Sequence, residues 1–449
     1  MPIDAARCQA LFDRVADASR ALGVADVEAI VHAESSALTR FANNAIHQNV
    51  AERSGHFSVR VKIDGCTARA TTNRLDDASI RQVVEETVAL TKLQEPDPAL
   101  LQLWENKPGV QSCSRWHEAT AHVTPTGRAE AVAEAIQIVE SAGQTAAGIY
   151  STSEVVSALL NSRGVFAYYP ETMANFSITA MAADSSGWAK GSACSHRDLD
   201  PAAMARKAAA KAQASRDPIE LPPGAYTVIL EPAAVLDLVG QMFGDFSATA
   251  IADGRSFLRD RIGVKLFGEN ITIHDDADHP LQSGAPFDGE GVPRGKLALV
   301  EHGVVRDVPY CRQAAHAAGV PPTGHGFPLP NEYGEAPMNI VIAGGATPLA
   351  DMIASTARGI LVTRLWYIRE VDPYEKIMTG MTRDGTFLIE DGRIARGVRN
   401  FRFNQALPEM LSNVETLSPA VRASGEEAFD MVVPAMKVRG FHFTEVTRF

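Results

Sequence analysis

The stretch GIYSTSEVVSALLNSRGVFAYYPETMANFSITAMAAD, residues 148–184, decides what kind of fold this chain adopts. Two long runs rich in β-branched and aromatic residues flank Asn161-Ser162-Arg163-Gly164, and a third run, GWAKGSACSH, follows at 187–196. Runs of this composition joined by short polar turns read as an antiparallel meander. A sheet of this kind needs a cover for one face, and the residues on either side supply helices.

Upstream, Cys8, Leu11, Phe12, Val15 and Leu22 recur at helical spacing, with Gly23 as a stop. VEAIVHAE (27–34) and GHFSVRVKIDG (55–65) read as strands; in the second, Phe57, Val59 and Val61 face one way and Ser58, Arg60 and Lys62 the other. Asp76 can cap a helix carrying Ile80, Val83, Val84, Thr87 and Thr91. Thr124-Pro125 marks another start, an N-cap followed by proline in the first turn, running through AEAVAEAIQIVESAG. Downstream, Asp200-Pro201 opens an Ala-rich helix that RDPIELPPGAY (216–226) cannot continue, because its prolines lack the amide proton a helix needs. These signals place a boundary near 218, dividing the chain into 1–217 and 218–449.

The second part alternates short strands with glycine-rich turns and few helices. YTVILEP, ITIHDD, KLALVEHGVV, MNIVIAGG, GILVTRL and TFLIEDGRIARGV read as strands, the last pairing across Asp391-Gly392. AAVLDLVGQMFGDF and TPLADMIASTAR read as helices. Helices and strands segregated within each part, rather than strict βαβ alternation, predict an α+β class: N-terminal helices on an antiparallel sheet, then a β-rich C-terminal domain.

Bulk properties narrow the function. The chain has 449 residues, 45% hydrophobic and 21% charged, with 42 basic against 54 acidic residues and a formal charge of -12. Nucleic-acid tracking and anionic-membrane binding are disfavoured by that balance. Cys8, Cys66, Cys113, Cys194 and Cys311 lie far apart without a C-x-x-C pair, so reduced thiols and a cytoplasmic location are expected. No window of 18 uninterrupted apolar residues suggests a membrane span, and the N-terminal residues lack the apolar core of an export signal.

Three clusters carry residue types suited to chemistry. Trp116 to His122, WHEATAH, contains H-E-x-x-x-H, with Cys113 nearby as a third metal donor. Residues five apart on a regular helix diverge by about 140°, however, and the helix start at Thr124-Pro125 follows directly. The segment therefore reads as a loop with solvated His117, Glu118 and His122 and a packed Trp116. HDDADHP (274–280) offers His274, Asp276 and His279, types that suit a cation but equally a solvated turn. PFDGEGVPR (286–294) places Asp288 and Glu290 either side of a glycine; on an extended segment such residues point to opposite sides, and a turn with capping carboxylates is favoured. GHGF (324–327) and AGGA (343–346) match neither a P-loop nor a dinucleotide fingerprint, and the G-x-S-x-G elbow is absent.

Several segments together resemble the TldD/PmbA family of two-component metallopeptidases, once labelled modulators of DNA gyrase. They are ALTRFANNAIHQNV (37–50), the 161–164 turn, GRSFL (254–258), FDGEGVP (287–293), PTGHG (322–326), GILVTRL with GTFLIEDGRI, and MVVPAMKVRGFHF (431–443), in the family's order. The resemblance implies a two-domain TldD/PmbA-like fold. The family's catalytic member carries H-E-x-x-x-H at the start of the second domain, after its first strand, and a further cysteine ligand near the C-terminus. The corresponding place here reads Leu236-Asp237-Leu238-Val239-Gly240-Gln241, with Leu236 and Gln241 at the histidine positions, and no cysteine follows Cys311. WHEATAH stands in the wrong domain. The resemblance therefore implies a TldE/PmbA-like subunit with no catalytic residue and no metal of its own, forming a heterodimer with a TldD-like protein. That partner would hold zinc or a similar divalent ion, and the pair would act on peptides or unfolded protein segments. Asp288, Glu290 and His325, in loops matching family signatures, are candidates for lining the cavity or the interface. Two alternatives stand beside this expectation: a self-sufficient metallopeptidase or hydrolase using His274, Asp276 and His279, and a non-enzymatic peptide-binding maturation factor.

Overall fold

The computed structural model describes residues 2–105 and 114–447. The N-terminal part comprises α1 (Ala5–Ala21), β1 (Asp26–Ala42), β2 (Ala45–Ile63), β3 (Cys66–Thr72), α2 (Asp77–Thr91), α3 (Glu118–Ala121), α4 (Pro125–Ser141), β4 (Thr145–Asn161), β5 (Phe166–Met181), β6 (Ser186–Ala193) and α5 (Pro201–Ala214). Its six strands form one antiparallel sheet in the order β3-β2-β1-β4-β5-β6. The meander at 145–193 has the expected connectivity.

Helix caps explain where the helices begin. The side chains of Asp4, Asp76, Thr124 and Asp200 each accept a backbone N–H from the first turn of α1, α2, α4 and α5. One face of the sheet is covered by two helix pairs. α1 and α2 bury Leu11, Val15, Ile80 and Val84 against Val31, Val59 and Val156. α4 and α5 bury Val132, Val139, Ala205 and Ala212 against Tyr150, Phe176 and Ile178. The other face meets the C-terminal part: Arg69 Nε donates to the Leu329 carbonyl at 2.6 Å, and Arg115 Nη1 to that of Gly284 at 3.2 Å.

Two local features differ from the expectation. β1 and β2 are much longer than the predicted 27–34 and 55–65, because Asn43 and Asn44, with φ of 50° and 59°, join them in a tight hairpin. WHEATAH is not wholly a loop: Glu118–Ala121 forms one helical turn, closed by the new helix at Pro125. Cys113 lies outside the described residues.

The C-terminal part comprises β7 (Gly224–Leu230), α6 (Pro232–Val239), α7 (Ala248–Ala252), β8 (Ile273–Asp275), β9 (Leu297–Glu301), β10 (Val304–Val305), α8 (Arg312–Ala318), β11 (Ile340–Ile342), α9 (Leu349–Ala354), β12 (Arg358–Asp372), β13 (Ile377–Glu390), β14 (Arg393–Gly397), β15 (Phe401–Ala406), α10 (Leu407–Ser412), β16 (Val414–Leu417), β17 (Val421–Ala423), β18 (Met431–Val433) and β19 (Met436–Val446). Pairings β12-β7, β7-β19, β19-β15, β15-β13 and β13-β12 close a five-strand ring, which removes the free edges of those strands along the paired stretches. Phe401 and Phe443 stack within it at 4.5 Å between ring centres. A second sheet, β10-β9-β8-β11-β18-β17, shares its apolar core through Ile273, Val300 and Ile340. Asp391-Gly392, with φ of 48° and 75°, joins β13 to β14 as the dipeptide predicts. The fold is a mixture of helices and largely antiparallel sheets. No helix among the described residues is long and apolar enough to cross a membrane.

Candidate functional site

α6 is apolar on every side, and a helix of that pattern has to be buried. Ala234, Val235, Leu236, Leu238 and Val239 are all closed to solvent, and so is Asp237 in their midst. Asp237 Oδ1 accepts the backbone N–H groups of Glu426 and Glu427, each at 2.9 Å. Its Oδ2 has no hydrogen-bond partner among the described residues. Burial pushes this carboxyl up to about 6, against the pull of those two N–H groups. Gly425 leaves no room for a side chain, since a Cβ there would lie 2.1 Å from Asp237 Oδ1.

The donor chemistry of residues 236–241 does not fit a zinc ion. Leu236 has no donor atom. Gln241 turns its amide nitrogen to the carbonyls of Asp237 and Glu427, both at 3.1 Å, which leaves only a weak amide oxygen. Among the described residues, no group of three or more His, Cys, Asp and Glu stands at metal-holding spacing.

Asp288 and Glu290 lie in a tight loop instead of an extended strand, so their carboxylates converge. Phe287 bridges to Pro293 across the turn, and Gly291 takes a φ of 82°. Asp288 accepts the N–H groups of Glu290, Val292 and Gly326 at 2.8 to 2.9 Å, which is the capping role expected of a turn. A Cβ on Gly326 would stand 2.7 Å from Glu290 Oε1 and 3.2 Å from Asp288 Oδ2, which places both carboxylates around one point. The favoured reading of a turn with capping carboxylates therefore holds, and strand alternation, under which the two need not share a site, does not apply.

Glu290 is buried and accepts the Arg312 N–H at 3.1 Å, with the Arg312 guanidinium 3.5 Å away. Burial, reinforced by the Asp288 charge, pushes its carboxyl up to about 7 despite Arg312. It lines a cleft of about 700 Å³ whose walls include Thr249, Ile262, Tyr310, Cys311 and Asn331. Cys311 is no nucleophile at neutral pH: burial and the Glu335 carboxylate push its thiol up to about 12. The cleft thus combines apolar walls with one carboxyl able to change charge near neutrality.

His325 is buried behind this loop. Its Nδ1 lies 2.9 Å from Thr323 Oγ1 and its Nε2 3.1 Å from Asp275 Oδ1, while Asp275 Oδ2 accepts the N–H groups of Met338 and Asn339. Glu335, equally buried, accepts from Ser247, Thr249 and Cys311 and so ties α7 to the start of α8. Sequence reasoning passed over Glu335 and Arg312, and read Asp275 only as one potential ligand in the 274–280 cluster. For Asp275 a signal existed: ITIHD puts it in step with the buried Ile271 and Ile273.

The remaining candidates are engaged elsewhere. Asp276 pairs with Lys296 at 3.2 Å, and His279 Nδ1 accepts the Leu281 N–H at 3.2 Å; burial lowers the pKa of both His274 and His279. His117, Glu118 and His122 are exposed, with His122 Nδ1 2.9 Å from the Glu118 carbonyl, and Trp116 donates to Glu154 at 2.7 Å.

Family models described as PmbA/TldA metallopeptidase domain 1, central domain and C-terminal domain match residues 27–91, 122–216 and 223–445. A protein of Methanothermobacter thermautotrophicus named metalloprotease is 24% identical over 413 residues, covering 87% of each chain. The metalloprotease TldD homolog of Buchnera aphidicola is 30% identical over 162 residues, 35% of this chain and 32% of that one. Among solved structures, TldE from Thermococcus kodakarensis superposes with a TM-score of 0.88 at 20% identity, over 97% of this chain and 100% of the other.

Proposed function

This chain belongs to the PmbA/TldD metallopeptidase family, and from that premise we propose that it is the TldE-like, non-catalytic subunit of a two-chain peptidase. Its partner is a TldD-like protein that carries zinc or a similar divalent ion, the pair forms in the cytoplasm, and its substrates are peptides or unfolded protein segments. The observation that carries this reading is the chemistry at 236–241: Leu236 lies in the core and the Gln241 amide is turned to backbone carbonyls. A chain without ligands at the family's metal position contributes to peptide cleavage by shaping the site of another. In this proposal Glu290 faces substrate or partner from its cleft, and Asp288 and His325 hold the surrounding loops in place.

The test is peptide cleavage by the pure chain, by a TldD-like protein, and by the two together, with co-elution on size-exclusion chromatography. Cleavage that appears only when the two are mixed is expected, in a complex of both chains. Metal-dependent cleavage by this chain alone, abolished by His274→Ala or His279→Ala, would overturn the proposal.

A further inference from the structure

The long β1–β2 hairpin brings two histidines together that the sequence separates by 23 residues. His32 and His56 are directly opposite in register, and their rings stack at 5.3 Å between centres with 28° between planes. Both line a cleft of about 500 Å³ with Glu34, Glu52 and Asn73. β3 ends at the Phe57–Thr72 pair, so β2 has no neighbour on its outer side from His56 back toward the hairpin tip, and the rings are open to approach. Neither ring hydrogen-bonds another described residue.

From this arrangement we propose that His32 and His56 form a two-imidazole site for a borderline divalent cation such as Zn²⁺, Ni²⁺ or Cu²⁺. Two imidazoles that share one ion at about 2.0–2.1 Å each, at a tetrahedral angle, hold their ring centres roughly 5 Å apart. The observed 5.3 Å separation is close to that spacing, and the stacked rings need only turn about their side-chain bonds to aim one nitrogen each at a shared ion. The register puts Glu34 and Glu52 on the same side of the ribbon, opposite Ser54 and Ser36, and neither carboxylate has an ion-pair partner among the described residues. Their charge favours a cation, and water completes the shell around the two imidazoles. The nearby Arg69 opposes it weakly, because its guanidinium is held by Glu28 at 2.6 Å. The sequence gives no hint of this pair, since no motif spacing links the two positions, and the site lies on β1 and β2, apart from α6.

The experiment uses the full chain, stripped by chelator and dialysed, with Zn²⁺ titrated by calorimetry and Cu²⁺ followed by electron paramagnetic resonance. One ion per chain is expected, with two nitrogens coupled to Cu²⁺. His32→Asn and His56→Asn each weaken Zn²⁺ binding at least tenfold, the double variant abolishes it, and unchanged circular dichroism shows that the variants fold. Glu34→Gln, which leaves both imidazoles in place, produces a smaller loss. No uptake by the wild type, a Cu²⁺ signal from a single nitrogen, or undiminished binding in a folded double variant would each overturn the proposal.

Discussion

His325 Nε2 stands 3.1 Å from Asp275 Oδ1 with both side chains closed to solvent, so a buried polar contact joins β8 to the loop that carries Gly326. Burial alone would raise the Asp275 pKa, but the imidazole beside it and the Asn339 N–H hold it below the usual carboxylate range. Because the folded pKa lies below the unfolded one, this stabilisation is present above about pH 4 and is lost as pH falls further. His325→Ala takes the imidazole away from Asp275 Oδ1, leaving only the N–H groups on Oδ2, and should cost about 1–3 kcal/mol by urea unfolding at pH 7. Asp275→Asn should flatten the acid side of the stability profile relative to wild type.

Glu290 behaves in the opposite sense. Its carboxyl is pushed from 4.5 up to about 7 by burial and then by Asp288, so the native state binds a proton that the unfolded chain has released. Stability should therefore fall as pH rises through the window between those values, by roughly 3 kcal/mol in total. Glu290→Gln should remove that slope, and urea unfolding at pH 5 and pH 8 reads it directly.

The same logic applies to Asp237, which is buried and pushed up to about 6. Asp237→Asn keeps an oxygen for the Glu426 and Glu427 N–H groups while removing the charge, so it should raise the unfolding temperature at pH 8. Asp237→Ala leaves those donors unmet and should cost about 1–3 kcal/mol. If the asparagine variant instead unfolds earlier at pH 8, the ionised form of Asp237 has a favourable role that burial conceals.

Close approach of β6 to α5 makes Gly187 irreplaceable. A Cβ there would lie 2.1 Å from the Ala208 carbonyl oxygen and 2.4 Å from the Ala212 nitrogen, both backbone atoms that cannot move aside. Gly187→Ala should cost about 1–3 kcal/mol or more by thermal unfolding. Gly295, where a Cβ would meet nothing within 4 Å, is the control and should tolerate alanine.

Much of the framework was legible because it is local. The helix starts follow from caps, which are decided within four residues: Asp76 and Thr124 carry the signal in their side chains, and both accept first-turn N–H groups. The 145–193 meander and the Asp391-Gly392 hairpin follow from strand composition and turn chemistry in the same way. The closure of five strands into a ring was not legible, since β7 meets β12 and β19 across more than a hundred residues and no local signal encodes such a pairing. Asn43-Asn44 carried a turn signal that went unread, and with it went the length of β1 and β2.

The candidate site divides along the same line. That residues 236–241 lack imidazole and thiolate is a property of composition, and the sequence alone determined it. That Asp237 is walled into an apolar helix, that Asp288 and Glu290 converge on Gly326, and that Asp275, far along the chain, meets His325 were decided only by the tertiary structure. Residue identity states which chemistry is available. Burial and proximity decide which groups change their charge and which groups meet, and both arise from contacts between segments distant in the chain.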